Sequence, residues 1–371
     1  MKITQIDLFI VRQEMVRAFA ISSNSVNHRM HVLVKLYADG LTGWGESPCS
    51  SAPFYNEETT ETCWHVLKDV LAPMVLGKEW ATIPELIATY RLVKRHNFAK
   101  AGLEMAAWDL LGQAAAKPLH ALLGGTRPEI LSGVSLGIQA DINDLFELID
   151  LYSGQGYRRI KLKIGPGKDV PVIRQVRERY PDLAIVADAN SAYTLADIPV
   201  LRELDQFNLM MIEQPLAHDD IIDHAILQRE LRTPICLDES IHSAEDARKA
   251  LDLDSGRIIN IKVSRLGGLL EAKKVHDLCY ERGVPVWCGG MHEYGIGRAA
   301  NIAIASLPGF TIPGDVCGFD KDYAADIVDP PILAVNGAIP VSSAPGLGWT
   351  PNAARITAQT VRKLEIGGLG D

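Results

Sequence analysis

The chain has 371 residues, 47% hydrophobic and 22% charged, which suits a globular fold and excludes disordered, collagenous and coiled-coil chains. A net charge of −9 with no Lys/Arg-rich block argues against a nucleic-acid partner. No apolar run of about 18 residues, no apolar core near Met1 and no C-x-x-C pair among the six cysteines point to a cytoplasmic protein with reduced thiols and no membrane association.

The N-terminal stretch reads as strands followed by helices. Residues 31–37 alternate as a strand, Asp39-Gly40 makes a hairpin turn, and residues 41–45 return. Asn56 is expected to cap a helix with Glu57 and Glu58 in its first turn, continuing through Trp64, Val66 and Leu71. A second helix starts near Asn97, runs through Leu103, Met105, Trp108 and Leu111, and ends before Pro118. Gly124-Gly125 then closes an α+β unit spanning residues 1–125.

From about residue 130 short apolar runs recur, at 131–138, 160–164, 184–187, 210–212, 235–237, 258–263, 284–288 and 310–312. Helical segments fill the gaps, two of them opening on capping-box patterns at Thr194–Asp197 and Ser243–Asp246. Strand and helix alternating eight times give a parallel α/β fold over residues 126–325. A closed (β/α)₈ TIM barrel is the expected solution, and a doubly wound open sheet is the other fold with this alternation. Residues 326–371, with Pro330-Pro331 and several glycines, read as an irregular tail packing back on the N-terminal unit.

Lys163, Asp188, Glu213, Asp238 and Lys262 each close one of five successive runs, about 25 residues apart. In a (β/α)₈ barrel the carboxyl ends of all strands open on one face, so these residues converge on one mouth. Strand alternation sets Lys161 and Lys163 opposite Ile160, Leu162 and Ile164, and sets Asn260 and Lys262 opposite Ile259 and Ile261. The aliphatic face meets the helices, so the lysines point inward, where each needs a carboxylate partner. Three convergent carboxylates suit Mg²⁺, which can hold a substrate carboxylate and absorb the charge formed when its α-proton leaves. A lysine base must be neutral, and a neighbouring cation lowers its pKa. Lys163 and Lys262, on the second and sixth runs, stand on opposite sides of such a substrate. Taken singly, Asp188 or Asp238 reads as a helix cap; the shared register is what singles the set out. Gly295-Ile296-Gly297-Arg298 reads as a loop or helix N-terminus able to receive a substrate anion, and His292 as a bystander.

Lys161-Leu162-Lys163, Asp188-Ala189-Asn190, Glu213-Gln214-Pro215, Asp238-Glu239-Ser240 and Lys262 resemble the motif set of the enolase superfamily, muconate-lactonising subgroup. With residues 133–140, 156–164 and 286–291, and with Gly43-Trp44-Gly45-Glu46, they are most similar to the N-succinylamino acid racemase / o-succinylbenzoate synthase family. The resemblance implies an enolase-type barrel under an N-terminal capping domain, with specificity loops near residues 15–30 and 50–56. It implies Mg²⁺ on Asp188, Glu213 and Asp238, and an acid/base pair of Lys163 and Lys262. Lys161, Ser135, Phe19, Met291, Glu293 and Asp315 would meet the substrate, a small carboxylate; Asn190, Glu239 and Asn260 would support the ligands. A homo-oligomer is implied as well.

The expected activity is racemisation of N-acyl, chiefly N-succinyl, amino acids. The alternatives are dehydration to o-succinylbenzoate and a catalytically silent metabolite-binding barrel. Departures from the family pattern fall at Ala18-Phe19-Ala20-Ile21-Ser22-Ser23, at His292-Glu293-Tyr294 and at Val316-Cys317-Gly318-Phe319, all on the substrate side.

Overall fold

The computed structural model describes residues 1–20 and 25–367. Strand β1 (Ile3–Ala20) pairs antiparallel with β2 (Ser25–Ala38), and β2 pairs with β3 (Leu41–Ser47). Asp39 and Gly40 at the turn between them have φ of 50° and 79°, the left-handed pair that a two-residue hairpin needs. The sheet is buried on both faces. Ile6, Leu8, Val32 and Val34 pack on the N-terminal helices, while Phe9, Val11, Leu33 and Trp44 join the barrel core. Residues 15–20 and 25–30 continue the hairpin, with Phe19 opposite Val26, so the described parts of the expected loop at 15–30 are strand. Ile21, Ser22 and Ser23 lie outside the described residues.

Helices α1 (Thr60–Val66), α2 (Ala72–Val75), α3 (Ile83–Thr89) and α4 (Asn97–Ala114) cover the first face. Helix α1 starts in a capping box made by Thr59 and Thr62, not at Asn56. Glu58 is engaged elsewhere: its carboxylate accepts the Phe98 and Ala99 N–H groups at 2.9 and 3.2 Å and so caps α4. A Cβ on Gly45 would lie 1.9 Å from the Gly102 carbonyl oxygen, so only glycine lets β3 meet α4. A bridge between Ser50 and Thr59 brings Cys49 and Cys63 together as a disulfide, which corrects the expectation of six free thiols. Cys236, Cys279, Cys288 and Cys317 are free and buried.

After α5 (Leu119–Leu123) and β4 (Glu129–Leu131), seven parallel strands follow. They are β5 (Val134–Leu136), β6 (Ile160–Lys163), β7 (Ile185–Asp188), β8 (Met211–Glu213), β9 (Ile235–Leu237), β10 (Ile258–Ile261) and β11 (Val286–Cys288), hydrogen-bonded in that order. Helices α6 (Ile142–Gly154), α7 (Val170–Arg179), α8 (Ile198–Leu204), α9 (Ile222–Glu230) and α10 (Ala244–Asp252) fill the first crossovers. Helices α11 (Val263–Leu266), α12 (Leu269–Glu281) and α13 (Gly295–Ala305) complete them. The run at 310–312 is not a strand. Phe310 bridges Val286 and Gly314 bridges Ser132, so this segment closes the barrel with single bridges. Pro308 and Pro313 lack the N–H donors that a ladder would use.

Ile160, Leu162 and Ile164 pack into the main core, as their parity requires. Val186, Met211, Cys236, Ile258 and Trp287, one from each of five strands, form a separate inner cluster. The tail is more regular than its composition suggests. There β12 (Val328–Asp329) pairs with β14 (Thr350–Pro351), β13 (Ala338–Pro340) pairs with β4, and α14 (Ala353–Gln359) leads into β15 (Thr360–Gly367). Strand β15 runs antiparallel to β1 and extends the N-terminal sheet. No helix among the described residues is long and apolar enough to cross a membrane.

Candidate active site

Lys163, Asp188 and Glu213 are in register as neighbours across β6, β7 and β8, so their side chains meet at the carboxyl ends of those strands. The Lys163 ammonium donates to Asp188 Oδ2 at 2.6 Å and to Asn190 Oδ1 at 2.7 Å. Lys161, two residues deeper, lies 3.0 Å from Glu213 Oε2, 3.2 Å from Asp188 Oδ2 and 2.7 Å from Asp315 Oδ2. It stands 4.9 Å above the ring of Trp287, the top of the inner cluster. Asn190 donates in turn to Glu239 Oε1 at 2.9 Å, and Asn260 to Glu213 Oε1 at 2.8 Å. Asn190, Glu239 and Asn260 thus form a ring of polar contacts around the lysines and acids.

Lys262 follows the sixth barrel strand and donates to Asp238 Oδ2 at 2.8 Å and to the Tyr55 hydroxyl at 2.5 Å. Tyr55 donates to the same carboxylate at 3.1 Å. The other oxygen of Asp238 accepts from Arg265, whose remaining donors go to the Asn260 and Ile241 carbonyls at 2.6 and 2.8 Å. With β6 second and β10 sixth in the barrel order, Lys163 and Lys262 stand on opposite walls, and both line one cavity.

Asp188, Glu213, Asp238 and Asp315 are thus each compensated by an ammonium or guanidinium group, while Glu239 accepts only from Asn190 among the described residues. Among the described residues no three acids, histidines or cysteines are arranged as a metal cluster, because the acids are turned onto these amines. Burial lowers the pKa of Lys163, and Lys161 beside it adds to the effect, together outweighing Asp188. Burial acts on Lys161 and Lys262 too, but there it loses. Asp315, Glu213 and Asp188 hold Lys161 high, and Tyr55, Glu239 and Glu213 hold Lys262 high. Without a cation in the site, Lys163 is thus the one of the three lysines that is lowered. Burial raises Glu213 and Glu239, with Asp188 adding to both.

Phe19, Ser135, Met291, Glu293 and Asp315 also line the cavity. The Ser135 hydroxyl has no partner among the described residues. Asp315 is bound by Lys161 and by Arg159, at 2.6 Å, so it braces the lysine layer. The N-terminus of α13 is taken by the protein itself: Glu46 accepts from Tyr294 and Gly297 N–H at 2.8 and 2.7 Å, which corrects the reading of a free anion site there. His292, read from the sequence as a bystander, packs edge-on to Phe19 with centroids 4.5 Å apart and contacts Asp322 Oδ1 at 3.1 Å. Tyr55, Arg159, Arg265, Arg29 and Lys321, which also stand here, were not singled out by the sequence reading; Tyr55, inside the implied loop at 50–56, and Arg29, inside that at 15–30, carried a signal.

A barrel of parallel strands, carrying opposed lysines over buried acids and capped by a sheet-and-helix layer, defines the class of enzyme. Residues 5–124 match the mandelate racemase / muconate lactonizing enzyme N-terminal domain and residues 145–355 the enolase C-terminal domain-like family. The chain belongs to the enolase superfamily, as the resemblance implied. It is 51% identical over 351 residues, 94% of each chain, to the o-succinylbenzoate synthase of Geobacillus kaustophilus. It is 44% identical over 348 residues, again 94% of each, to the N-succinylamino acid racemase of Thermus thermophilus. A solved enolase-superfamily protein from Listeria innocua superposes with a TM-score of 0.95 at 36% identity, over 99% of each chain.

Proposed function

We propose that this enzyme removes the proton α to a carboxylate with Lys163 and Lys262 as the acid/base pair, and that it racemises N-succinyl amino acids with Mg²⁺ as cofactor. One observation carries the reading: two buried amines stand on opposite walls of one cavity, each anchored on its own carboxylate. Lys163, with its lowered pKa, suits removal of the proton from one face. Lys262, held in its charged form, suits delivery of a proton to the other. Asp188, Glu213 and Asp238 fit Mg²⁺ by donor chemistry: all are buried hard oxygens at the ends of three consecutive strands. They would bind it by exchanging their lysine and arginine contacts for the ion. When bound, Mg²⁺ supplies a positive charge for the substrate carboxylate as the α-proton leaves. Asn260 and Asn190 then keep Glu213 and Glu239 oriented, and Lys161 holds the negative end of the substrate.

A second reading, dehydration to o-succinylbenzoate, is favoured by the names of the relatives at 51, 50 and 47% identity. It begins with the same proton abstraction, so one experiment tests both. The enzyme, with Mg²⁺, is incubated in D₂O with an N-succinyl amino acid, and the α-proton is followed by NMR. Deuterium should enter with loss of optical purity, and chelation of the metal should stop it. Lys163→Ala and Lys262→Ala should each lose racemisation by about 10²–10⁴-fold or more while keeping the native circular dichroism. Full racemisation by either variant would sink the two-lysine assignment.

A further inference from the structure

A second layer of charge joins Lys161 to the seam of the barrel. Arg159, just before β6, shares the parity of Lys161 and is fully buried. Its Nε donates to the Pro313 carbonyl at 3.0 Å and its Nη2 to Asp315 Oδ1 at 2.6 Å. Asp315 belongs to the segment that stands in place of an eighth strand. Its backbone is fixed there, its N–H donating to the Cys288 carbonyl at 2.8 Å while the Gly133 N–H donates to the Gly314 carbonyl at 2.6 Å. The second oxygen of Asp315 takes the Lys161 ammonium at 2.7 Å. Trp287 lies against both cations, with its ring centre 4.8 Å from the Arg159 guanidinium carbon and 4.9 Å from Lys161 Nζ. The indole N–H is spent on Cys236 Sγ at 3.2 Å, which keeps that plate in place. Lys161 has three N–H donors. Besides Asp315 it faces Glu213 Oε2 at 3.0 Å and Asp188 Oδ2 at 3.2 Å. A unit charge this close opposes a second cation at the same oxygens, and burial leaves that opposition weakly screened. Of the three acids on Lys161, Asp315 alone lies outside the set proposed to hold Mg²⁺. Its contact to the ammonium therefore does not compete with the ion.

We propose that Asp315, fixed by Arg159, is the positioning residue of Lys161, and that this anchor sets how tightly Asp188 and Glu213 hold a divalent cation. The inference rests on the reading of those two acids as Mg²⁺ ligands and deepens it. Two effects of opposite sign meet at the ammonium. The charge of Lys161 repels an ion arriving at Asp188 and Glu213. Asp315 balances that charge and gives the ammonium a partner to keep when the other two carboxylates turn to the ion. Arg159 holds Asp315 through its other oxygen, and Trp287 limits the space into which the lysine stem can move. Removing the anchor and removing the lysine therefore act in opposite directions on the affinity for the ion.

The test titrates the full chain with Mn²⁺, a divalent probe whose free form is counted by electron paramagnetic resonance. Asp315→Asn should weaken binding about tenfold, because Lys161 keeps its charge and loses its counter-charge. Lys161→Met should tighten binding about tenfold, because the repelling charge is gone. With Lys161→Met already in place, adding Asp315→Asn should change the affinity by about twofold or less, since the anchor has nothing left to position. Damage to the fold weakens binding in every variant, so the opposite signs and the lost Asp315 effect are not what a structural role gives. Asp315→Glu, which keeps the charge, and Lys161→Gln, which removes it, should show the same pattern in milder form and keep the proposal open to refutation if the first pair does not fold. Equal affinity in wild type and Asp315→Asn overturns the proposal. So does weaker binding by Lys161→Met, or an Asp315→Asn effect undiminished without Lys161. Failure of the ligand reading looks different. A wild type that binds no Mn²⁺ at millimolar concentration, or an Asp188→Asn variant that binds it as tightly as wild type, refutes the ligands and the anchor with them.

Discussion

Lys163 and Lys262 are both buried amines on carboxylates, yet their surroundings push them apart. Lys163 leans on one acid, with Lys161 close by, and its ammonium form is penalised. Lys262 shares Asp238 with Tyr55 and is surrounded by further acids, so its ammonium form is favoured. Under the proposed reading, two groups of the same kind, moved in opposite directions, would divide the labour between a proton acceptor and a proton donor. Tyr55 contributes on the Lys262 side through its hydroxyl. Tyr55→Phe should lower the rate of α-proton exchange by about tenfold with a smaller change in KM, since a hydrogen bond to a charged group is lost. An unchanged rate would show that the hydroxyl has no part in placing the amine. The Asp-Ala-Asn and Asp-Glu-Ser motifs made the acids and their supports legible in the amino-acid order itself. Tyr55 and Arg265 were not legible as partners of Asp238, because no local period links residues 55, 238 and 265.

Helix starts show the same division. Thr59, with Thr62, begins α1, while the nearby Glu58 is spent on α4. Glu104, in the middle of α4, accepts the Leu269 and Leu270 N–H groups at 2.6 and 2.8 Å and so caps α12 of the barrel. Gly268 makes this possible: its φ is +136°, and a Cβ there would lie 2.1 Å from the Glu104 carboxylate. Burial pushes the Glu104 carboxyl up to about 7, beyond what its three donors hold down. The folded group keeps its proton to higher pH than the unfolded one, whose value is near 4.5. Its contribution to stability is therefore full below about pH 4.5 and is lost as pH rises through about 7. Glu104→Gln removes this titration. The Tm of the wild type relative to that of the variant should fall by about 2–6 °C between about pH 5 and pH 8. A flat difference would refute the raised carboxyl.

The N-terminal sheet and the barrel are held together by buried polar contacts as well as by packing. Glu46, at the end of β3, takes Tyr294 and Gly297 N–H groups from the start of α13 and sits 2.7 Å from His31. One residue of the cap thereby sets the helix turn from which Arg298 reaches the cavity. Glu46→Ala leaves these buried donors without an acceptor, at about 1–3 kcal/mol for each. Urea denaturation should show a loss of about 2–6 kcal/mol. An unchanged denaturation midpoint would contradict the link. Strand β15 has a similar role at the sheet margin, covering the edge of β1 that would otherwise be an exposed ladder.

Chain periodicity alone determined a parallel α/β fold with Lys163, Asp188, Glu213, Asp238 and Lys262 at equivalent strand ends; the motif resemblance chose the barrel over an open sheet. A covalent repeat of strand and helix carries every equivalent position to the same level of the fold. Strand parity likewise told which lysine faces inward and which isoleucine meets the helices. Only the tertiary structure decided which amine rests on which acid. It also replaced the eighth strand with a bridged segment and made residues 15–20 and 25–30 paired strand. Above all it brought Arg29 from β2, Arg298 from α13 and Lys321 from beyond the barrel to one cavity. Contacts between residues so far apart in the chain leave no local pattern. They exist because the two cores pack on each other, and that packing is where the substrate side of this enzyme is built.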